Sequence, residues 1–309
     1  MNEIFNLNEY PVVNVLGLLL KDKTTKKNII FATNAYSDID SKITEKTQIT
    51  EALLLKIGFD KIKTRVDKSE EDQVKRTRKK AEVFTPSWIC NKMNNHCDTE
   101  WFGREGVFNT EKGQTWVVNE LPIEFSNEND WKKYVDSKRL EITCGEAPYI
   151  VSRYDVATGE FIEINNRIGI LDRKLRVVNE NTDTKEQWVL WVTRAFQSVY
   201  GYEFQGDNVL IARVNLLLTF TEYYKDRWGD TPEDNELKKI ANIIVWNIWQ
   251  MDGITGTVPF GKPKEENRQL TFFDYMQGIN DTEDEEMDCI IRDWRSDRTL
   301  TYRSIKEGK

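Results

Sequence analysis

From Arg139 onward the chain alternates short β-type segments with apolar helical runs, and this order constrains the fold more than any other feature. Leu140-Glu141-Ile142-Thr143 reads as a short strand followed by Cys144-Gly145. Ala147-Pro148-Tyr149-Ile150-Val151 reads as a helix opening, with Pro148 in its first turn. Val199-Tyr200-Gly201-Tyr202 reads as a second strand ending at Glu203. Asp207 is placed to cap a long apolar helix over 209–223. Residues 237–249 read as another apolar helix, leading to Asp252. Asp288-Cys289-Ile290-Ile291 is a short strand candidate after the acidic run 281–286. Such alternation predicts an α/β fold with a mainly parallel sheet and covering helices.

The preceding part reads differently. Residues 1–80 are predicted to be mostly helical and polar, with an apolar run of helical length at 12–20 and a helix over 47–57 capped by Thr47. A charged stretch, 69–80, ends in Lys75-Arg76-Thr77-Arg78-Lys79-Lys80; we read it as a solvated helix face in preference to a phosphate-contacting patch. Phe84-Thr85-Pro86 then breaks the helix and opens another over 87–97. Residues 99–138 give no firm assignment. The division expected is a helical N-terminal region, 1–80, and an α/β domain, 81–309.

Charge and cysteine usage narrow the function classes. The formal net charge is −8, so nucleic-acid contact would need a local patch or a partner subunit. No apolar run reaches membrane-spanning length and the start lacks a signal-peptide pattern, so no membrane association and a cytoplasmic location are expected. Cys90, Cys97, Cys144 and Cys289 form no CxxC pair, and His96 is the single histidine; buried thiols are expected and a metal site is not.

In open parallel sheets ligands bind at the carboxyl ends of the strands. Gly145 past the first strand lets backbone approach a ligand closely. Glu203 past the second is placed to accept hydrogen bonds from ribose hydroxyls. Asp252, past the third element, is placed to face the remainder of such a ligand.

Four longer segments carry a resemblance. These are Lys80-Ala81-Glu82-Val83-Phe84-Thr85-Pro86-Ser87-Trp88-Ile89-Cys90-Asn91-Lys92-Met93, Glu141-Ile142-Thr143-Cys144-Gly145-Glu146-Ala147-Pro148-Tyr149, the stretch from Tyr200-Gly201-Tyr202-Glu203 to Asn215-Leu216, and the stretch from Asn242 to Asp252, which ends in an acid. The chain resembles, over about residues 68–300, the adenine-N6 DNA methyltransferases (modification subunits) of restriction–modification systems, with their Phe-Thr-Pro, glycine and acidic motifs in order. The resemblance implies a Rossmann-like core binding S-adenosyl-L-methionine, with Thr85, Pro86, Glu141, Gly145, Glu203 and Asp252 around the cofactor. It also implies DNA as substrate, reached through a partner subunit.

The family's Asn/Asp-Pro-Pro-aromatic motif accepts the hydrogens of the target amino group and stacks on the flipped base. No Pro-Pro occurs in this chain; Asp293 and Trp294 stand where the motif is expected and are the candidate catalytic pair. Fifteen residues follow Trp294, so the core is expected to be incomplete on its C-terminal side. Ala147 and Pro148 replace a usual second glycine and a small residue, and Tyr149 is placed to fill part of the pocket. The alternative expectation is a methyltransferase-like protein without catalysis, phage or mobile-element encoded, that engages or inhibits a host defence complex. A small-molecule methyltransferase is a weaker third reading.

Overall fold

The computed structural model describes residues 4–80, 85–262 and 287–308. Phe84 of the Phe-Thr-Pro motif and the acidic run 281–286 lie outside the described residues, as do the side chains of Lys75, Arg78, Lys79 and Lys80.

The architecture is mixed α/β around a parallel sheet. After a small antiparallel pair, β1 (Asn109–Lys112) and β2 (Thr115–Val118), and a short helix, α5 (Asp130–Asp136), come the strands of that sheet: β3 (Arg139–Glu141), β4 (Val199–Glu203) and β5 (Ile248–Gln250), in the order β3-β4-β5. Both pairings are parallel, with Arg139 opposite Val199 and Gly201 opposite Ile248. Parallel neighbours need helical crossovers. The first contains α6 (Ile170–Asn181) and α7 (Lys185–Ser198); the second contains α8 (Gly206–Trp228) and α9 (Asp234–Asn247). Local signals fix these helices. The Thr184 hydroxyl accepts the Gln187 N–H at the start of α7, and a reciprocal Glu233–Glu236 capping box starts α9. Gly229, in the left-handed region, ends α8.

Helices α7 and α9 pass into β4 and β5 without a loop. The stretch read as one helix over 237–249 is therefore a helix ending at Asn247 followed by a strand. Periodicity alone does not separate a short buried strand from the end of an apolar helix. At this junction Asn247 donates to the carbonyls of Phe196 and Val199, both at 2.9 Å, tying the starts of β4 and β5 together.

Alternation along β4 sends side chains to two cores. Val199 joins Ile248 and the apolar faces of α6 to α9. Tyr200 and Tyr202 join Trp249 on the opposite face. That face is covered by a hairpin, β6 (Ile290–Asp293) and β7 (Arg298–Thr301), and by Tyr302, the first residue of a final helix, Tyr302–Lys306. The Tyr202 and Tyr302 rings meet edge to face at 5.6 Å.

The N-terminal region is less helical than expected. It contains α1 (Leu16–Leu19), α2 (Glu51–Ile57) and α3 (Glu70–Lys80), separated by turns and isolated bridges. Thr50, not Thr47, caps α2, accepting the Leu53 N–H at 3.1 Å. Leu7, Val12, Leu19, Leu20 and Phe31 lie in the same core as α8 and α9. Buried Arg213 of α8 donates to the carbonyls of Lys21 and Ile248, each at 2.8 Å, bracing this region against the sheet. The Gln250 amide pairs with both backbone groups of Ile30, at 2.9 and 2.8 Å, extending the sheet by one side chain. Among the described residues no helix is long and apolar enough to cross a membrane.

Candidate functional site

At the carboxyl ends of β3 and β4 a cleft of about 760 Å³ opens, within the range of small-molecule sites. Thr85, Glu141, Gly145 and Glu203 line it, so four of the residues singled out in the sequence meet in one place. Pro86 is the adjoining N-cap of α4 (Ser87–Phe102) and is not part of the lining.

The wall beyond β3 is a backward-turning loop. Thr143, Gly145 and Ala147 all have positive φ, at 47°, 54° and 65°. Only glycine takes this conformation without steric cost, and strained non-glycine residues persist where surrounding structure holds them. Three contacts hold them here. The Cys144 N–H continues the ladder to the Tyr202 carbonyl at 2.8 Å, and the Ala147 N–H closes on the Cys144 carbonyl at 2.7 Å. The Gly145 N–H donates to Glu203 Oε2 at 3.0 Å. Ala147 thus holds a left-handed backbone conformation that glycine takes more readily, and Ala147-Pro148-Tyr149-Ile150-Val151 forms turns; the next α-helix begins at Ile170.

Glu203 is buried at the end of β4, with Oε1 accepting the N–H groups of Phe204 and Gln205 at 2.9 and 3.1 Å. Its neighbour across the cleft floor, Glu141, carries a buried Oε2 with no hydrogen-bond partner. Burial pushes the Glu141 carboxyl well above the ordinary range; the N–H groups of Tyr149 and Ile150 pull it down, and the charge of Glu203 raises it further. Glu146, next to Gly145, turns the other way. Its carboxylate accepts the Arg65 N–H at 2.6 Å and the Tyr154 hydroxyl at 2.5 Å, anchoring the loop to the N-terminal region.

The far wall comes from α4, through Met93, Asn94 and Cys97. Asn94 fixes it by donating to the carbonyls of Tyr149 and Ile168, at 3.0 and 2.9 Å. Asp155 Oδ2 accepts the Ser87 N–H at the helix start, at 2.7 Å. Tyr149 lines the cleft as the sequence suggested. Asn94, Phe204, Gln205 and Asn208 line it too, without a local signal that singles them out.

Besides Pro86, three more expected site residues lie outside the cleft lining. Asp252 makes a turn: its Oδ1 accepts the Ile254 N–H at 2.8 Å, and its backbone bridges to Thr257. Asp293 and Trp294 sit at the opposite, amino end of the sheet. Asp293 pairs with Lys138, immediately before β3, at 2.8 Å, while the Trp294 ring N–H donates to Asn247, immediately before β5, also at 2.8 Å. The expected catalytic pair is therefore separated from the cleft by the length of the strands, because β6 packs across the sheet with that end near the strand starts.

Asp207 is likewise not a cap. It is buried in the first turn of α8, and its Oδ2 accepts the Tyr36 hydroxyl at 2.8 Å and pairs with Arg76 of α3. Arg76, one of the basic run, is itself buried rather than part of a solvated face. Of the cysteines, Cys90, Cys144 and Cys289 are buried and Cys97 is half-buried. No family model matches this chain, and neither a curated protein nor a solved structure matches it.

Proposed function

We propose that the cleft binds an adenosine-type cofactor, S-adenosyl-L-methionine, within a Rossmann-like methyltransferase core. In this reading the chain works as a DNA adenine-N6 methyltransferase-like subunit of a restriction–modification system, with a partner supplying DNA recognition. The observation that carries the reading is the buried, unpartnered Glu141 Oε2 on the floor of a cleft whose other acid, Glu203, is fixed by backbone N–H groups. A buried acceptor without a donor costs free energy and calls for a ligand that supplies one. The α-ammonium and ribose hydroxyls of this cofactor are such donors, and Gly145 lets it approach the β3 loop closely. The cofactor would supply a methyl group on a sulfonium; Glu141 would hold its amino-acid end and Glu203 its ribose, and Thr85 and Tyr149 would close over it.

Calorimetric titration with S-adenosylmethionine tests this reading. Wild type binds, Glu203→Ala loses binding, and Asp293→Ala and Trp294→Ala bind as wild type. Absence of wild-type binding sinks the proposal. The remoteness of Asp293 and Trp294 favours a second reading, a cofactor-binding protein without catalysis that engages a host defence complex. Transfer of labelled methyl to duplex DNA with host extract separates the two: transfer supports the enzyme subunit, and binding without transfer supports the inactive module.

A further inference from the structure

Asn208, the third residue of α8, lines the cleft and is 1 % exposed. Both polar atoms of its side chain, Oδ1 and Nδ2, are buried without a hydrogen-bond partner. Its polar neighbours are engaged elsewhere: Asp207 with Tyr36 and Arg76, and Glu203 with the N–H groups of Gly145, Phe204 and Gln205. Asparagine in the first turn of a helix ordinarily turns its side chain to backbone or water. A fully buried amide with both groups unused is rare enough in folded proteins to require an explanation.

We infer that Asn208 reads the edge of the ligand's heterocyclic base, donating from Nδ2 to a ring nitrogen and accepting an exocyclic amino hydrogen at Oδ1. This rests on the cofactor reading above. A ligand with its charged end over Glu141 and Gly145 and its sugar at Glu203 carries its base on toward Phe204 and Asn208, beyond the end of β4. Phe204 offers an aromatic surface there, and its ring is held by Phe260, edge to face at 5.6 Å. A carboxamide presents one donor beside one acceptor, the complement of an adenine edge with its amino group next to a ring nitrogen. Asn208 is thus a specificity residue for a 6-aminopurine.

The test uses the full chain and three probes: S-adenosylhomocysteine, adenosine, and purine riboside, which lacks the 6-amino group. Asn208→Leu keeps the side-chain shape and removes both polar groups; Asn208→Ala is the second variant. Wild type is expected to bind S-adenosylhomocysteine and to prefer adenosine over purine riboside. Each variant is expected to bind S-adenosylhomocysteine about tenfold or more weakly and to lose the preference for adenosine. The ligand-free Asn208→Leu protein is expected to melt at or above the wild-type temperature, because it no longer buries an unpaired amide. Unchanged affinity and preference in both variants overturn the inference and leave the cofactor reading standing. A lowered melting temperature of the ligand-free Leu variant also overturns it, since it assigns the amide a structural partner such as a buried water. No binding of S-adenosylhomocysteine by wild type overturns the cofactor reading and this inference together.

Discussion

Glu203 Oε2 accepts the Gly145 backbone N–H at 3.0 Å, so the acid that ends β4 holds the strained loop that follows β3. The two strand ends are not independent walls of the cleft. Glu203→Gln keeps the size of the side chain but puts an amide where one acceptor oxygen stood. Either orientation leaves a buried backbone N–H facing an N–H group. The variant is expected to lose about 1–3 kcal/mol of stability in urea unfolding. Hydrogen exchange at the Gly145 amide should accelerate. Unchanged exchange there would falsify the coupling of the two loops.

How much of this was legible in the sequence follows from the same pair of residues. Gly145 and Glu203 each follow a short β-type run, and both the strands and the end of the sheet where the cleft opens are legible from that. The third strand was hidden, because Ile248, Trp249 and Gln250 follow α9 without a loop and continue its apolar pattern. Asp207 sits where a cap belongs, and only the tertiary fold shows Arg76 arriving from a distance of 131 residues in the chain. Motif order makes Asp293 and Trp294 the catalytic candidates, but it carries no information about which end of the sheet a hairpin crosses. Asn208 gave no signal, since a polar residue in a helical first turn reads as ordinary until its burial is known.

Glu141→Gln tests the buried carboxyl. The folded value lies above the unfolded one, which is near 4.5, because burial disfavours the charged form. The stability this group contributes is present below its unfolded value and is lost as the pH rises through its folded value. The Gln variant has no charge to bury. Its melting temperature should match wild type near the acid end of that window and exceed it increasingly toward neutral and mildly alkaline pH. A pH-independent difference between the two proteins would exclude ionisation of Glu141 as the cause.

The buried pair of Arg76 and Asp207 fixes α3 to the start of α8. Burial alone would raise the Asp207 carboxyl, but Arg76 and then Lys68 outweigh it and leave it below the ordinary value. Its contribution is therefore present above the unfolded value and lost as the pH falls through the folded value. Arg76→Ala leaves a buried carboxylate without its main countercharge and should cost about 3–5 kcal/mol. Arg76→Met with Asp207→Leu removes both charges and should recover most of that loss. Denaturant curves of the single and double variants measure the difference. A double variant no more stable than Arg76→Ala would argue against an uncompensated charge as the source of the cost.

Two glycines at the ends of α8 separate close approach from backbone conformation. At Gly206 an added Cβ would lie 1.9 Å from the Ile30 carbonyl oxygen and 3.2 Å from Gln250 Nε2. The same residue donates its N–H to the Phe31 carbonyl at 3.0 Å. Gly206→Ala must therefore push residues 30 and 31 away from the edge that the Gln250 amide holds. The expected loss is about 2–4 kcal/mol, from overpacking and the weakened hydrogen bond. At Gly229 nothing lies within 4 Å of an added Cβ, but φ is 67°. Gly229→Ala should cost about 1 kcal/mol from conformation alone, and Gly229→Asn less. Urea unfolding should rank Gly206→Ala well below Gly229→Ala, and limited proteolysis should cut the N-terminal region faster only in the former. Equal costs at the two positions would mean that residues 30 and 31 yield freely, and that their seat against α8 is not what holds the N-terminal region to the core.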